Sequence, residues 1–123
     1  MFDNGVTLAN LTSTLPGFVN SFDLNDLGDI AWIQPWSLYV NGIERISTTT
    51  EIIGPVVNNI GQLAWVQATG PNEYDIFLDG VNLTASIPGH AEGPSLNDKG
   101  QVAWRQVDGE GNSDIYTLAN ANF

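Results

Sequence analysis

The chain contains no cysteine and only a single histidine and a single methionine. The first absence excludes disulfides and thiolate metal sites, and one histidine cannot build a zinc site of the usual kind within one chain. Positive charge is nearly as scarce. Arg45, Lys99 and Arg105 stand against 14 acidic residues, for a net charge of −11. A surface that negative repels phosphate backbones and anionic lipid, so neither nucleic acid nor a membrane is an expected partner. A basic protein or bound cations match it better. Apolar runs span only a few residues, too short to cross a bilayer. The opening, Met1-Phe2-Asp3-Asn4-Gly5, has no basic stretch and no apolar stretch, and is not expected to be a signal peptide. The compartment stays open, with the cytoplasm as the expectation if Met1 is the native start. No catalytic or cofactor signature is present, and no cofactor is expected.

What is there is repetition, the first thing to seek in a sequence. Leu24-Asn25-Asp26-Leu27-Gly28-Asp29-Ile30-Ala31-Trp32-Ile33-Gln34 superimposes on Val57-Asn58-Asn59-Ile60-Gly61-Gln62-Leu63-Ala64-Trp65-Val66-Gln67 and on Leu96-Asn97-Asp98-Lys99-Gly100-Gln101-Val102-Ala103-Trp104-Arg105-Gln106. A second element follows each copy: Ser37-Leu38-Tyr39-Val40-Asn41-Gly42, Asp75-Ile76-Phe77-Leu78-Asp79-Gly80, and Asp114-Ile115-Tyr116-Thr117. The spacing of the tryptophans suits a four-stranded β-propeller blade. Asn-Asp-x-Gly and Asn-Asn-x-Gly predict tight turns, because Asn bonds its own backbone and Gly supplies positive φ. The run Ile30-Ala31-Trp32-Ile33 is apolar on both faces, as a strand covered on both sides must be. Trp of one copy is then expected to fill the space above Ala of the next. Asn41-Gly42 and Asp79-Gly80 predict type I′ hairpins. With 13 glycines, 6 prolines and no sustained 3.6-residue period, no helix is expected.

These segments resemble the bacterial tandem repeats described by Asn-x-x-Gly-x-x-Ala-Phe and, more distantly, the propeller blades of the periplasmic protein TolB. Trp stands here where those repeats usually carry Phe, and the Pro-Asp-Gly turn typical of TolB blades is missing. The resemblance covers nearly the whole chain. It implies a propeller fold, and because its motif is a packing motif it transfers no active site.

The fold expected is thus all-β: a β-propeller with three four-stranded blade repeats per chain, over approximately 1–22 (an outer strand closing another blade), 23–53, 54–92 and 93–123. Closed propellers typically have four to eight blades, so three leave two apolar faces open. Met1–Leu8 aligns with Ile76–Leu83, a third-to-fourth-strand hairpin, while Asp114–Leu118 is a third strand without a fourth. The N-terminal strand is therefore expected to complete a neighbouring molecule's blade. Two chains would give a homodimeric six-bladed ring with no unpaired edge. Three chains giving nine blades, or a fragment of a longer propeller, are the alternatives. Phe2, Val6, Leu8, Ile115 and Tyr116 are the interface candidates. Arg105 joins them, since it replaces apolar Ile33 and Val66 at a position expected to be buried. A buried guanidinium needs a carboxylate, here expected as a between-chain ion pair or replaced by a ligand contact.

Trp32, Trp65 and Trp104 share one mid-strand slot and read as core. Trp36 lies in a short loop found in only one copy, which makes it a ligand-binding candidate. Gln34, Gln67 and Gln106 recur in register as candidates for a polar ring at one mouth, with satisfaction of strand-end backbone as the simpler role. His90, within Pro88–Pro94, reads as an exposed loop residue and joins the ligand candidates. Asp108, Glu110, Asn112 and Asp114 alternate oxygen side chains as a hard cation would require, with a solvated hairpin loop as the plainer reading. The function expected is a non-catalytic, self-assembling binding or scaffold module whose ligand, a glycan or a protein, meets the loops at one mouth. A carbohydrate-active hydrolase or lyase with carboxylates at the axis is the catalytic alternative, although no spacing selects two of the acids.

Overall fold

The computed structural model describes residues 10–12 and 17–119. Every regular element among them is a strand. The first sheet is an antiparallel meander of β1 (Ser21–Leu24), β2 (Ile30–Gln34), β3 (Ser37–Val40) and β4 (Ile43–Ser47). The second repeats it with β5 (Ile52–Val57), β6 (Leu63–Gly70), β7 (Glu73–Leu78) and β8 (Val81–Asn82). The third contains β9 (His90–Leu96), β10 (Val102–Val107) and β11 (Ser113–Leu118), with β11 at its edge. All-β architecture and three antiparallel sheets follow the repeat. Four strands are present in two of the sheets and three in the last. Phe2, Val6 and Leu8, expected to supply an outer strand, lie outside the described residues.

The turns form for the reasons the residues suggest. Asn25 Oδ1 accepts from the amides of Leu27 and Asp29 at 3.0 and 2.8 Å, and Asn97 Oδ1 accepts from Lys99 and Gln101, both at 3.0 Å. Gly28, Gly61 and Gly100 then take φ of 86, 84 and 78°, which a residue with a Cβ rarely adopts. Asn41-Gly42 (53 and 88°) and Asp79-Gly80 (47 and 91°) have the two positive φ values of a type I′ hairpin.

Two apolar clusters weld the sheets into a row. Ala31, Ile33 and Leu38 of the first sheet pack with Ile52, Val57, Leu63 and Trp65 of the second. Ala64, Val66, Ile76 and Leu78, on the other face of the second sheet, pack with Ala91, Val102 and Trp104 of the third. One rule thus builds both interfaces: the Ala face of one sheet takes the Trp face of the next. Each Trp also stacks on the aromatic directly across from it, Trp32 on Tyr39 (5.8 Å), Trp65 on Phe77 (5.9 Å) and Trp104 on Tyr116 (6.0 Å).

Polar groups tie the same interfaces. Asn25 Nδ2 donates to the Asn58 carbonyl and Asn58 Nδ2 to the Asn97 carbonyl, both at 2.9 Å. Beside this rail, Asn59 Nδ2 reaches Asp26 Oδ2 at 3.1 Å and Asp98 Oδ2 at 2.8 Å, an amide between two carboxylates. The register of β5 slips between Ile53 and Val56, and the displaced amides of Gly54 and Val57 bond Ser21 Oγ and Asp23 Oδ2 of β1. A bulge is thereby converted into a cross-link between sheets.

Candidate functional site

Along the strand direction the sheets have two rims. At one lie the Asn turns and the type I′ hairpins. At the other lie the C-terminal ends of β2, β6 and β10, carrying Gln34, Gln67 and Gln106, with the β2–β3, β6–β7 and β10–β11 turns. Each glutamine has one task in common: its Oε1 accepts the indole N–H of the Trp two residues earlier, at 2.8, 3.1 and 2.9 Å. Residues two apart share a strand face, so Trp-x-Gln satisfies a buried indole without leaving the strand. The repeat carries this signal in all three copies, and sequence reasoning did not assign it. The other half of each amide differs. Gln34 Nε2 donates to the Gly17 carbonyl and Gln106 Nε2 to the Pro88 carbonyl, both at 3.2 Å. In the second sheet the register puts the corresponding carbonyl at Thr49, and no bond joins it to Gln67 Nε2; the next carbonyl, Thr50, accepts the Thr48 hydroxyl at 2.7 Å.

Around Gln67 lies an open groove of about 550 Å³, lined by Ser47, Thr48, Thr49, Thr50, Gln67, Ala68 and Thr69. None of these side chains is charged. Thr48 is anchored at the rim by the Trp36 carbonyl, which accepts its amide at 3.0 Å, and Trp36 itself is exposed in the β2–β3 turn. The nearest acids are occupied: Glu51 accepts the Tyr74 hydroxyl at 2.9 Å, and Asp75 accepts the Thr69 and Thr84 hydroxyls at 2.6 and 2.5 Å. The bond to Glu51, together with its charge, raises the Tyr74 pKa above its ordinary 10.0. Of the sequence candidates, Gln67 lines this groove, and Trp36 is joined to it through its backbone carbonyl. Gln34 and Gln106 are buried in their own sheets.

His90 is not in a loop. It opens β9 opposite Val107, half-buried, with Nε2 3.6 Å from Glu92 Oε2. Arg105 is not buried either. Its face of the third sheet is uncovered, and its carboxylate partner is Glu92 of the same chain, directly across on β9. The substitution of Arg for Ile33 and Val66 therefore marks an exposed terminal face and an ion pair within the chain. Ile115 and Tyr116 are exposed on β11, Ile115 on the face that carries Arg105.

The Asp108–Asp114 segment is a turn of the same kind as the Asn turns. Asp108 Oδ1 accepts the amides of Glu110 (2.8 Å) and Asn112 (3.0 Å), Oδ2 accepts from Asn112 Nδ2, and Gly111 takes φ of 85°. The carboxylate is turned onto its own loop, and among the described residues no three acids or histidines gather as a metal would need. The Glu110 amide, then those of Asn112, hold the Asp108 pKa below its ordinary 3.8. Asp29 is lowered likewise, by Asn25 first and then Asn41. A depressed folded pKa contributes stability above the ordinary value, and that contribution is lost as pH falls through the lowered one. Asp108→Asn is expected to keep the turn, since Asn fills the same role at 25 and 97. It should show a shallower loss of thermal midpoint from neutrality down to about pH 2. An unchanged acid profile would contradict the assignment.

Comparison of the chain with models of protein families, with curated proteins and with solved structures finds no match.

Proposed function

We propose that the chain is a non-catalytic β-propeller module, a half-ring that a second copy completes, presenting a ligand-binding mouth at the glutamine rim. The observation that carries this reading is the state of equivalent residues along the row. Ile33, Val66 and Arg105 pair across their sheets with Leu38, Ile76 and Ile115. Leu38 and Ile76 are fully buried by the next sheet, whereas Ile115, with no next sheet among the described residues, is 75% exposed. At the opposite end, Leu24 occupies the slot of Val57 and is 61% exposed against 7%. Phe22 lies exposed beside it.

Leu24 and Ile115 thus leave open, at the two ends, slots that neighbouring sheets bury elsewhere in the row, which supports the two ends meeting in a second copy; Trp32, at 2% exposure, is already covered. Exposed apolar surface of this kind favours association, and complementary rather than identical faces close into a ring. The single-sided row also explains the edge of the third sheet: β11 is the place where an outer strand from a second copy would pair.

The test uses one variant at each end. Leu24→Asp in both copies spoils both junctions of a dimer, as does Ile115→Asp, so each variant alone is expected to run as a 13.3 kDa monomer. Mixed in equal amounts, they leave one junction with both faces intact, and association should return. Variants that associate as the parent does would place the interface elsewhere.

A further inference from the structure

We infer that the groove beside Gln67 binds an uncharged, polyhydroxylated ligand, the chemistry of a neutral oligosaccharide. This rests on the reading of the chain as a binding module and assigns its ligand class, though the groove lies within one chain and needs no second copy.

The first support is a broken pattern. All three glutamines hold an indole with Oε1, and two of them spend Nε2 on a backbone carbonyl. Gln67 Nε2 has no acceptor among the described residues: the carbonyl at the equivalent position, Thr49, is not bonded to it. An amide that is structural in the other two copies is thus left as a donor in a groove lined by the run Ser47-Thr48-Thr49-Thr50, unique to this connection. Gln67 is pinned through its other atom and loses little freedom on binding, which favours its use in recognition.

The second support is charge. On a chain of net charge −11 a stretch of surface without acids is unusual, and here the two adjoining carboxylates, Glu51 and Asp75, are engaged by hydroxyl groups. A basic partner would have no counter-charge in this groove, and an anion would meet the field of the whole chain. Hydroxyls and amides that both donate and accept match a ligand that does the same. Trp36, whose carbonyl holds the Thr48 amide, carries an exposed indole, the kind of flat apolar face on which a sugar ring stacks.

The experiment is calorimetric titration of the protein in its native oligomeric state with maltohexaose, cellohexaose and xylohexaose, each to about 10 mM, a range that reaches weak carbohydrate affinities. At least one is expected to bind, with an affinity unchanged by added salt because no charges meet. Gln67→Glu keeps an oxygen for the Trp65 indole while removing the donor, and should weaken that binding at least tenfold with the thermal midpoint retained. Trp36→Ala, at an exposed position, should weaken it about as much. Absence of binding by all three sugars, or equal binding by Gln67→Glu and the parent, would overturn the inference. Because association is measured separately by mass, a dimer that binds none of them refutes the groove and leaves the ring untouched.

Discussion

Gly89→Ala is expected to cost about 4 kcal/mol or more of folding stability. A Cβ at Gly89 would lie 1.9 Å from the Val107 carbonyl oxygen, 2.8 Å from its carbon and 2.9 Å from Asp108 Cα. All three atoms are backbone, so no side-chain rotation relieves the overlap. Gly89 has φ of +95°, which alone disfavours an L-residue by about 1–2 kcal/mol. Its neighbour His90 pairs with Val107 at the start of β9, so relief requires peeling β9 from β10. Gly93→Ala is the matched control. It also has positive φ, +62°, but its Cβ meets nothing within 4 Å, and a cost of about 1 kcal/mol is expected. Urea denaturation of both measures the difference. Costs within about 1 kcal/mol of each other would contradict the close approach.

Trp65→Ala is expected to cost about 3–5 kcal/mol, a large share of the ~5–15 kcal/mol that a domain of this size possesses. Trp65 is 1% exposed, stacks on Phe77 and belongs to the cluster that joins the first two sheets. Removing it opens a cavity between sheets, and Gln67 loses the indole that positions it. Trp65→Phe separates these contributions. It keeps an aromatic against Phe77 and removes the N–H, for a cost of about 1–2 kcal/mol, the worth of a buried hydrogen bond and some volume. If Trp65→Phe were as damaging as Trp65→Ala, stacking and cavity formation would matter little, and the polar pair with Gln67 would carry the interface.

Much of this architecture is legible in the sequence because it rests on local chemistry. Asn25, Asn97 and their glycines close turns whatever surrounds them. Asn41-Gly42 and Asp79-Gly80 set hairpin register on their own, and the alternation of Ala31, Trp32 and Ile33 assigns faces. Position in the row is different, because it is not a local property. Arg105 occupies a slot buried in two copies, and periodicity alone predicts burial in the third. Among the described residues no sheet covers it, and Glu92 suffices as its partner.

His90 departs from expectation for another reason. Pro88-Gly89 and Gly93-Pro94 read as loop punctuation, yet β9 runs through Gly93-Pro94 as β5 runs through Gly54-Pro55, each Gly at positive φ beside a slipped register. That shared Gly-Pro, three residues ahead of each Asn turn, is a repeat signal that sequence reasoning passed over. The groove at Gln67 is only half legible. Trp36 and Gln67 stand out individually, whereas the missing backbone partner of the Gln67 amide depends on the path of the 47–51 connection and has no sequence motif.

The central claim, that two half-rings close on one another, is tested most directly by solution mass from light scattering over a dilution series. A constant mass of twice 13.3 kDa is the predicted result. A mass of 13.3 kDa throughout, or of three chains, would contradict it.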